Sequence, residues 1–176
     1  MWLFLASECL FFGSFIAAFL IYRDRNVVGP YQAELYDIPF TSVSSFVLLM
    51  SSVTMVLALA AIQRGNLRVM RVWLMATALL GLLFLSGQAY EFTQFWNEGL
   101  HLDTNLFGTT FFVLTGFHGA HVSVGVLILL SLYDASLRGK LAEGDSLAVE
   151  LAGLYWHFVD IVWIVIFTLV YLIQPQ

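Results

Sequence analysis

The chain reads as an all-α integral membrane protein, one bundle of about five transmembrane helices forming a single membrane domain over residues 1–176. Composition is the first reason: 60% of the residues are hydrophobic, 11% are charged, and mean hydropathy is +0.87, far from a water-soluble domain. The second is length. A hydrocarbon core about 30 Å thick needs roughly 20 apolar residues per helix, and the sequence supplies such stretches near 2–22, 41–62, 69–95, 106–132 and 149–173. The third is that the segments between them are too short to fold alone.

The first stretch, Trp2 to Tyr22, lacks a basic leader, carries Glu8 in its apolar part and offers no convincing cleavage site, so it reads as a retained helix rather than a signal peptide. Its abrupt start at Trp2 predicts a native chain that begins upstream of Met1. Pro30 and Pro39, with Gly29, argue against helix in the segment that follows. The second stretch runs from Thr41 to Ile62. The third, Val69 to Phe95, carries Glu91 near its end, where water is expected to reach it. The fourth, Leu106 to Leu132, contains His118 and His121, and the fifth, Val149 to Ile173, contains His157 and Asp160.

Alternation of the spans puts the 63–68 and 134–148 loops on the N-terminal side, where Arg64, Arg68, Arg71, Arg138 and Lys140 lie. Only Arg23 and Arg25 stand opposite, beside the acidic Glu34, Asp37, Glu98 and Asp103. The excess of basic residues predicts a cytoplasmic N-terminus and a C-terminus outside. Trp2, Trp73, Trp96 and Trp156 are expected at span ends as interfacial anchors.

Helices in lipid associate through small residues that allow close approach. Gly13 with Ala17, Ser14 with Ala18, Gly116 with Ala120 and Gly119 with Ser123 each stand four apart, which predicts packing edges on the first and fourth spans. Cys9 is the single cysteine, so an intrachain disulfide and a thiolate metal cluster are excluded. The net charge of -5 says little about partners, because Glu8, Glu91 and Asp160 account for part of it at membrane depth.

Those three acids and three histidines are the candidate functional residues, since each charged group costs about 2.5–3.5 kcal/mol at a bilayer centre on insertion scales. Glu8 is flanked by Phe11, Phe12 and Phe15, an aromatic and poorly hydrated wall. His118 and His121 stand three apart, as do His157 and Asp160, so each pair shares a helical face. Hydrogen-bonded interhelical contact is the plainer reading of both pairs. Metal binding lacks a Glu-x-x-His pattern to reinforce it. There is no phosphate-binding glycine loop, no trustworthy pair of haem histidines and no nucleophile with a base. No catalytic or metal-ligating residue is therefore assigned. An autonomous proton or ion carrier remains open, because acids and imidazoles at membrane depth are where proton relays occur.

Three strings then carry a resemblance: residues 2–13 (WLFLASECLFFG), 108–122 (GTTFFVLTGFHGAHV) and 155–163 (YWHFVDIVW), with a weaker fourth at 88–92 (QAYEF). Together they resemble subunit III of the haem-copper oxygen reductases, in its short five-helix bacterial form. The resemblance implies a subunit of a proton-pumping terminal oxidase that reduces oxygen to water, with no redox centre of its own. Haems and copper would lie in partner subunits, and bound phospholipid is expected. It further implies direct contact with subunit I, company with subunit II and other small subunits, room for a respiratory supercomplex, and no nucleic-acid partner. Support of assembly, oxygen access and cytoplasmic proton uptake follow as expected roles, in a bacterial cytoplasmic (inner) membrane. Cytochrome c is favoured over quinol as the donor. By motif, Glu8 is the family's buried Ser-Glu carboxylate, Glu91 its acid after Gln-Ala, and His118, His121, His157 and Asp160 its polar interior. The long form has two further spans before the Ser-Glu helix, which wall a lipid-filled cleft, and the resemblance to the short form implies a chain without them.

Overall fold

The computed structural model describes residues 1–22, 37–101, 105–141 and 144–173. Arg23, Arg25, Gly29, Pro30, Glu34 and Asp103, used above for topology and turns, lie outside them. Five long helices are present: α1 (Trp2–Tyr22), α2 (Ile38–Gln63), α3 (Leu67–Asn97), α4 (Leu106–Leu137) and α5 (Ser146–Leu172). Each is long and apolar enough to cross a membrane. They match the expected spans, with α2 to α5 running a few residues further into the interface at one end or both.

Short polar side chains start three of these helices. Asp37, Asn66 and Asn105 accept from the backbone N–H groups of Phe40, Val69 and Gly108 at 3.2, 3.1 and 2.6 Å, which satisfies donors that the first turn leaves unpaired. Pro39 sits in the opening turn of α2, where a missing N–H costs nothing. Three of the helices, α2, α3 and α4, end on glycine. Gly65 adopts φ 72° so that its N–H and that of Asn66 can turn back onto the Ile62 and Ala61 carbonyls, and the same stop recurs at Gly99 and Gly139.

α2, α3, α4 and α5 form a ring in which each packs on its two neighbours, and α1 lies outside it, against α4 and the edge of α5. The most apolar window of α1 is only 17% buried, against 50% for α5, so α1 is a peripheral strut on a four-helix core.

The expected close-packing edges are not where the helices meet. An added Cβ at Gly13 or Gly116 would find no atom within 4 Å, and Ala17 and Ala120 are exposed. Gly119 is the exception, because its missing side chain makes room for Gln88 Oε1, 2.8 Å from the ideal Cβ position. Ser123, half-buried, bonds its own helix at Gly119 O. Two further tight approaches fall at Gly81 and Gly125, which hold the Trp156 indole between α3 and α4. Trp156 is thus 2% exposed in the core and is no interfacial anchor. Its place on the inward face of α5, with Nε1 donating to Ser51 Oγ at 2.9 Å, accounts for the difference.

Hydroxyls on α2 fasten it to its neighbours. Ser45 accepts from Trp163 Nε1 at 2.8 Å, Ser51 from Trp156, and Thr54 bonds Thr77 of α3 at 2.8 Å. Such bonds are worth about 0.6 kcal/mol each in membrane bundles, and a row of them fixes the rotation of α2.

Candidate functional site

Glu8 and His121 meet on the outer side of the bundle, where α1 leans on α4. Glu8 Oε2 lies 3.1 Å from His121 Nε2, with side chains 17% and 19% exposed. The other ring nitrogen, Nδ1, is 2.7 Å from the Phe117 carbonyl. A carbonyl can only accept, so Nδ1 bears hydrogen. Nε2 then either accepts from a neutral Glu8 or, as imidazolium, donates to its carboxylate. One proton is therefore shared by the pair in either form. Phe12 stands edge-on to the imidazole at 4.9 Å, Phe11 lies 6.1 Å away, and the Tyr155 hydroxyl donates to the His121 carbonyl at 3.0 Å.

The pair forms part of the wall of a groove of about 660 Å³ lined by α1, α4 and α5, whose remaining lining is apolar apart from Ser131 and the Tyr155 hydroxyl. A second furrow of about 430 Å³ lies between α3 and α4 and shares Phe117 and Ala120 with the first. Together they follow α4 from Phe112 to Leu132, about 30 Å at 1.5 Å per residue, which equals the hydrocarbon thickness. The absent Cβ of Gly116 leaves the second furrow open.

His118, one turn from His121, belongs to a different environment. It is fully enclosed, its Nε2 donates to the Val159 carbonyl at 3.1 Å, and Trp163 and Phe84 cover the ring at 4.8 and 5.8 Å. This imidazole ties α4 to α5 and lines neither groove.

His157 and Asp160 are brought together by a residue that sequence reasoning missed. Ser52 Oγ donates to Asp160 Oδ2 at 2.5 Å and stands 3.0 Å from His157 Nδ1. The signal was present as hydroxyls along α2, with Thr41, Ser45 and Ser52 four and seven residues apart. Glu91, expected to be partly wet, is 6% exposed. α3 continues past it to Asn97, and Thr41 donates to it at 2.8 Å; the last turn of α5, Phe167–Leu172, is π-helical. Among the described residues, no group of three His, Cys, Asp or Glu side chains is placed to hold a metal ion.

The sequence model of the family described as cytochrome c oxidase subunit III matches residues 1–174. The chain belongs to that family. It is 37% identical over 171 residues to cytochrome c oxidase subunit 3 of Bacillus sp. strain PS3, covering 97% of this chain and 83% of that one. It is 36% identical to quinol oxidase subunit 3 of Bacillus subtilis strain 168, with 97% and 84% covered, and 41% identical to cytochrome c oxidase subunit 3 of Synechocystis sp. PCC 6803, with 97% and 73% covered. It is accordingly a multi-pass membrane protein and the third subunit of a terminal oxidase, part of an oxygen-reducing complex.

Proposed function

We propose that the chain is a subunit without redox centres in a proton-pumping oxidase of a bacterial cytoplasmic membrane, one that draws electrons from cytochrome c. Its N-terminus faces the cytoplasm, and it contacts subunit I directly, with subunit II and small subunits beyond. Haems and copper belong to those partners. The chain stabilises subunit I, seats phospholipid, and helps oxygen and cytoplasmic protons reach the catalytic subunit.

The observation that carries this reading is the trough along α4 with the Glu8 and His121 pair in its wall. Two adjoining furrows that together run about the length of the hydrocarbon core, lined mostly by apolar side chains, suit acyl chains, whereas a polar pore would need a continuous lining of donors and acceptors. The shared proton lets two titratable groups sit against lipid with little net field. Neutralising one by the other is what makes their depth tolerable.

The test compares purified oxidase bearing Glu8→Gln or Glu8→Arg with the wild type, measuring phospholipid per haem and the duration of turnover with reduced cytochrome c. Glu8→Gln keeps a partner for His121 and should retain most lipid and sustained turnover. Glu8→Arg sets a cation against the imidazole and should lose both. Wild-type lipid content and sustained turnover in Glu8→Arg would overturn the reading.

A further inference from the structure

We propose that the groove beside Glu8 is a binding site for a prenylated hydroquinone, whose ring hydroxyl donates to Glu8 Oε1 while its tail follows the second furrow. The inference rests on the reading of the trough as a seat for apolar chains, and adds the polar group that its occupant must carry at mid-depth.

The hydrogens already spent in the wall decide the ligand chemistry. In either form of the pair, one proton lies between Glu8 Oε2 and His121 Nε2, and Nδ1 spends another on the Phe117 carbonyl. Moving the shared proton to Oε1 would set two lone pairs against each other at 3.1 Å, and adding a further one would leave an unbalanced cation at membrane depth. Oε1 is therefore an acceptor in both forms, and no hydrogen bond among the described residues reaches it. The other polar side chains of the lining behave alike. Tyr155 gives its hydroxyl hydrogen to the His121 carbonyl at 3.0 Å, and Ser131 gives its own to the Ile128 carbonyl at 2.7 Å. The groove thus offers lone pairs alone. An ester, a phosphate or an oxidised quinone brings more acceptors, whereas a hydroxyl brings the missing hydrogen.

Depth narrows the class further. His121 is the sixteenth of the 32 residues of α4, so the acceptor lies near the bilayer middle. A phospholipid lodged in the first furrow holds its head group at the shallow end beside Ser131, about 15 Å along α4 from the pair, and shows Glu8 only methylenes. An unmet acceptor in hydrocarbon is costly. Glycerides and sterols likewise keep their hydroxyls at the interface. A prenylated hydroquinone instead carries its hydroxyls on an otherwise apolar body that enters the hydrocarbon. The walls suit its flat ring, with Phe4, Tyr155 and Phe117 in the lining and the first two stacked at 6.2 Å. Its tail has a continuation, because the second furrow adjoins at Phe117 and Ala120, is lined by Phe92 and Phe112, and stays open where Gly116 lacks a side chain.

The test uses the intact, cyanide-blocked complex in native membranes and a prenylated benzoquinone with a diazirine in its tail, supplied either oxidised or reduced to the hydroquinone. Photolabel should appear in this chain on α3 near Phe92 or α4 near Phe112, about tenfold more from the hydroquinone than from the quinone, the share expected of one hydrogen bond to a carboxyl oxygen. Glu8→Leu should abolish that preference, and Glu8→Gln, whose amide oxygen still accepts, should keep it. Gly116→Leu extends into open space away from the pair and should cut labelling by both forms; undiminished labelling would overturn the path of the tail. Equal labelling by the two forms, a preference that survives Glu8→Leu, or label confined to other subunits would overturn the site. Should Glu8→Arg still lose phospholipid per haem while the hydroquinone preference is absent, the trough reading stands and this inference falls. Should neither effect appear, both fall.

Discussion

Gly125→Ala puts a methyl group where the structure has no room, and the penalty can be worked from the contacts. The new Cβ would lie 2.8 Å from Cε3 and Cζ3 of Trp156 and 3.3 Å from the Tyr155 ring, whereas carbon atoms pack comfortably at about 3.5–4.0 Å. The indole cannot retreat, because its far edge lies 2.6 Å from the Cβ position of Gly81 on α3 and its Nε1 is bonded to Ser51. Overpacking of this kind costs about 1–3 kcal/mol. Gly13→Ala is the control: nothing lies within 4 Å of its Cβ position, and it shares the helix-propensity gain of about 1 kcal/mol expected of any helical Gly→Ala change. That gain cancels between the two variants, so their difference is the steric cost alone. At about 2–4 °C per kcal/mol for a chain of this size, Gly125→Ala should melt about 2–12 °C below Gly13→Ala. Thermal unfolding of the purified chain in detergent, followed by near-ultraviolet circular dichroism of its tryptophans, measures it. Coincident melting curves, or Gly125→Ala melting higher, would refute the wedged indole.

Ser52→Ala removes one hydroxyl and strips a partner from both Asp160 and His157, so a loss of about 1–3 kcal/mol is expected, read as a lower midpoint in denaturant; an unchanged midpoint would mean that the three side chains do not form one network. Thr41→Val takes away a donor to buried Glu91 at nearly constant volume and should cost about 1–3 kcal/mol, while Thr41→Ser restores the wild-type melting temperature; equal melting of both variants would count against the bond. Gly119→Ala drives a methyl group into Gln88, which is pinned by its bond to the Thr115 carbonyl at 2.7 Å, and should lower the melting temperature unless Gln88 is also shortened to alanine. Failure of that second change to rescue would point to a different clash.

The spans were legible because twenty apolar residues in a row have few other fates, and the candidate acids and imidazoles because charge at membrane depth is conspicuous. Rotation about each helix axis was not. In lipid the outward and inward faces are equally apolar, so periodicity cannot tell Gly13, which faces out, from Gly125, which faces Trp156. The same blindness placed Trp156 at the interface by its position along the helix, when its face decides its burial. Glu91 was misjudged for a related reason: nearness to a span end implied water, but α3 runs on to Asn97 and Glu91 faces Thr41 of α2. Ser52 was missed because a serine in an apolar run is common, and its importance appears only when α5 brings His157 and Asp160 to it.

The central claim is that this chain acts as a colourless subunit held against a haem-bearing one. Gentle detergent purification of the tagged chain from its native membrane, with a reduced-minus-oxidised visible spectrum and mass spectrometry of what accompanies it, tests that claim most directly. Haem bands together with a large catalytic subunit are the predicted result. A chain that emerges without haem, alone or with unrelated partners, would contradict it.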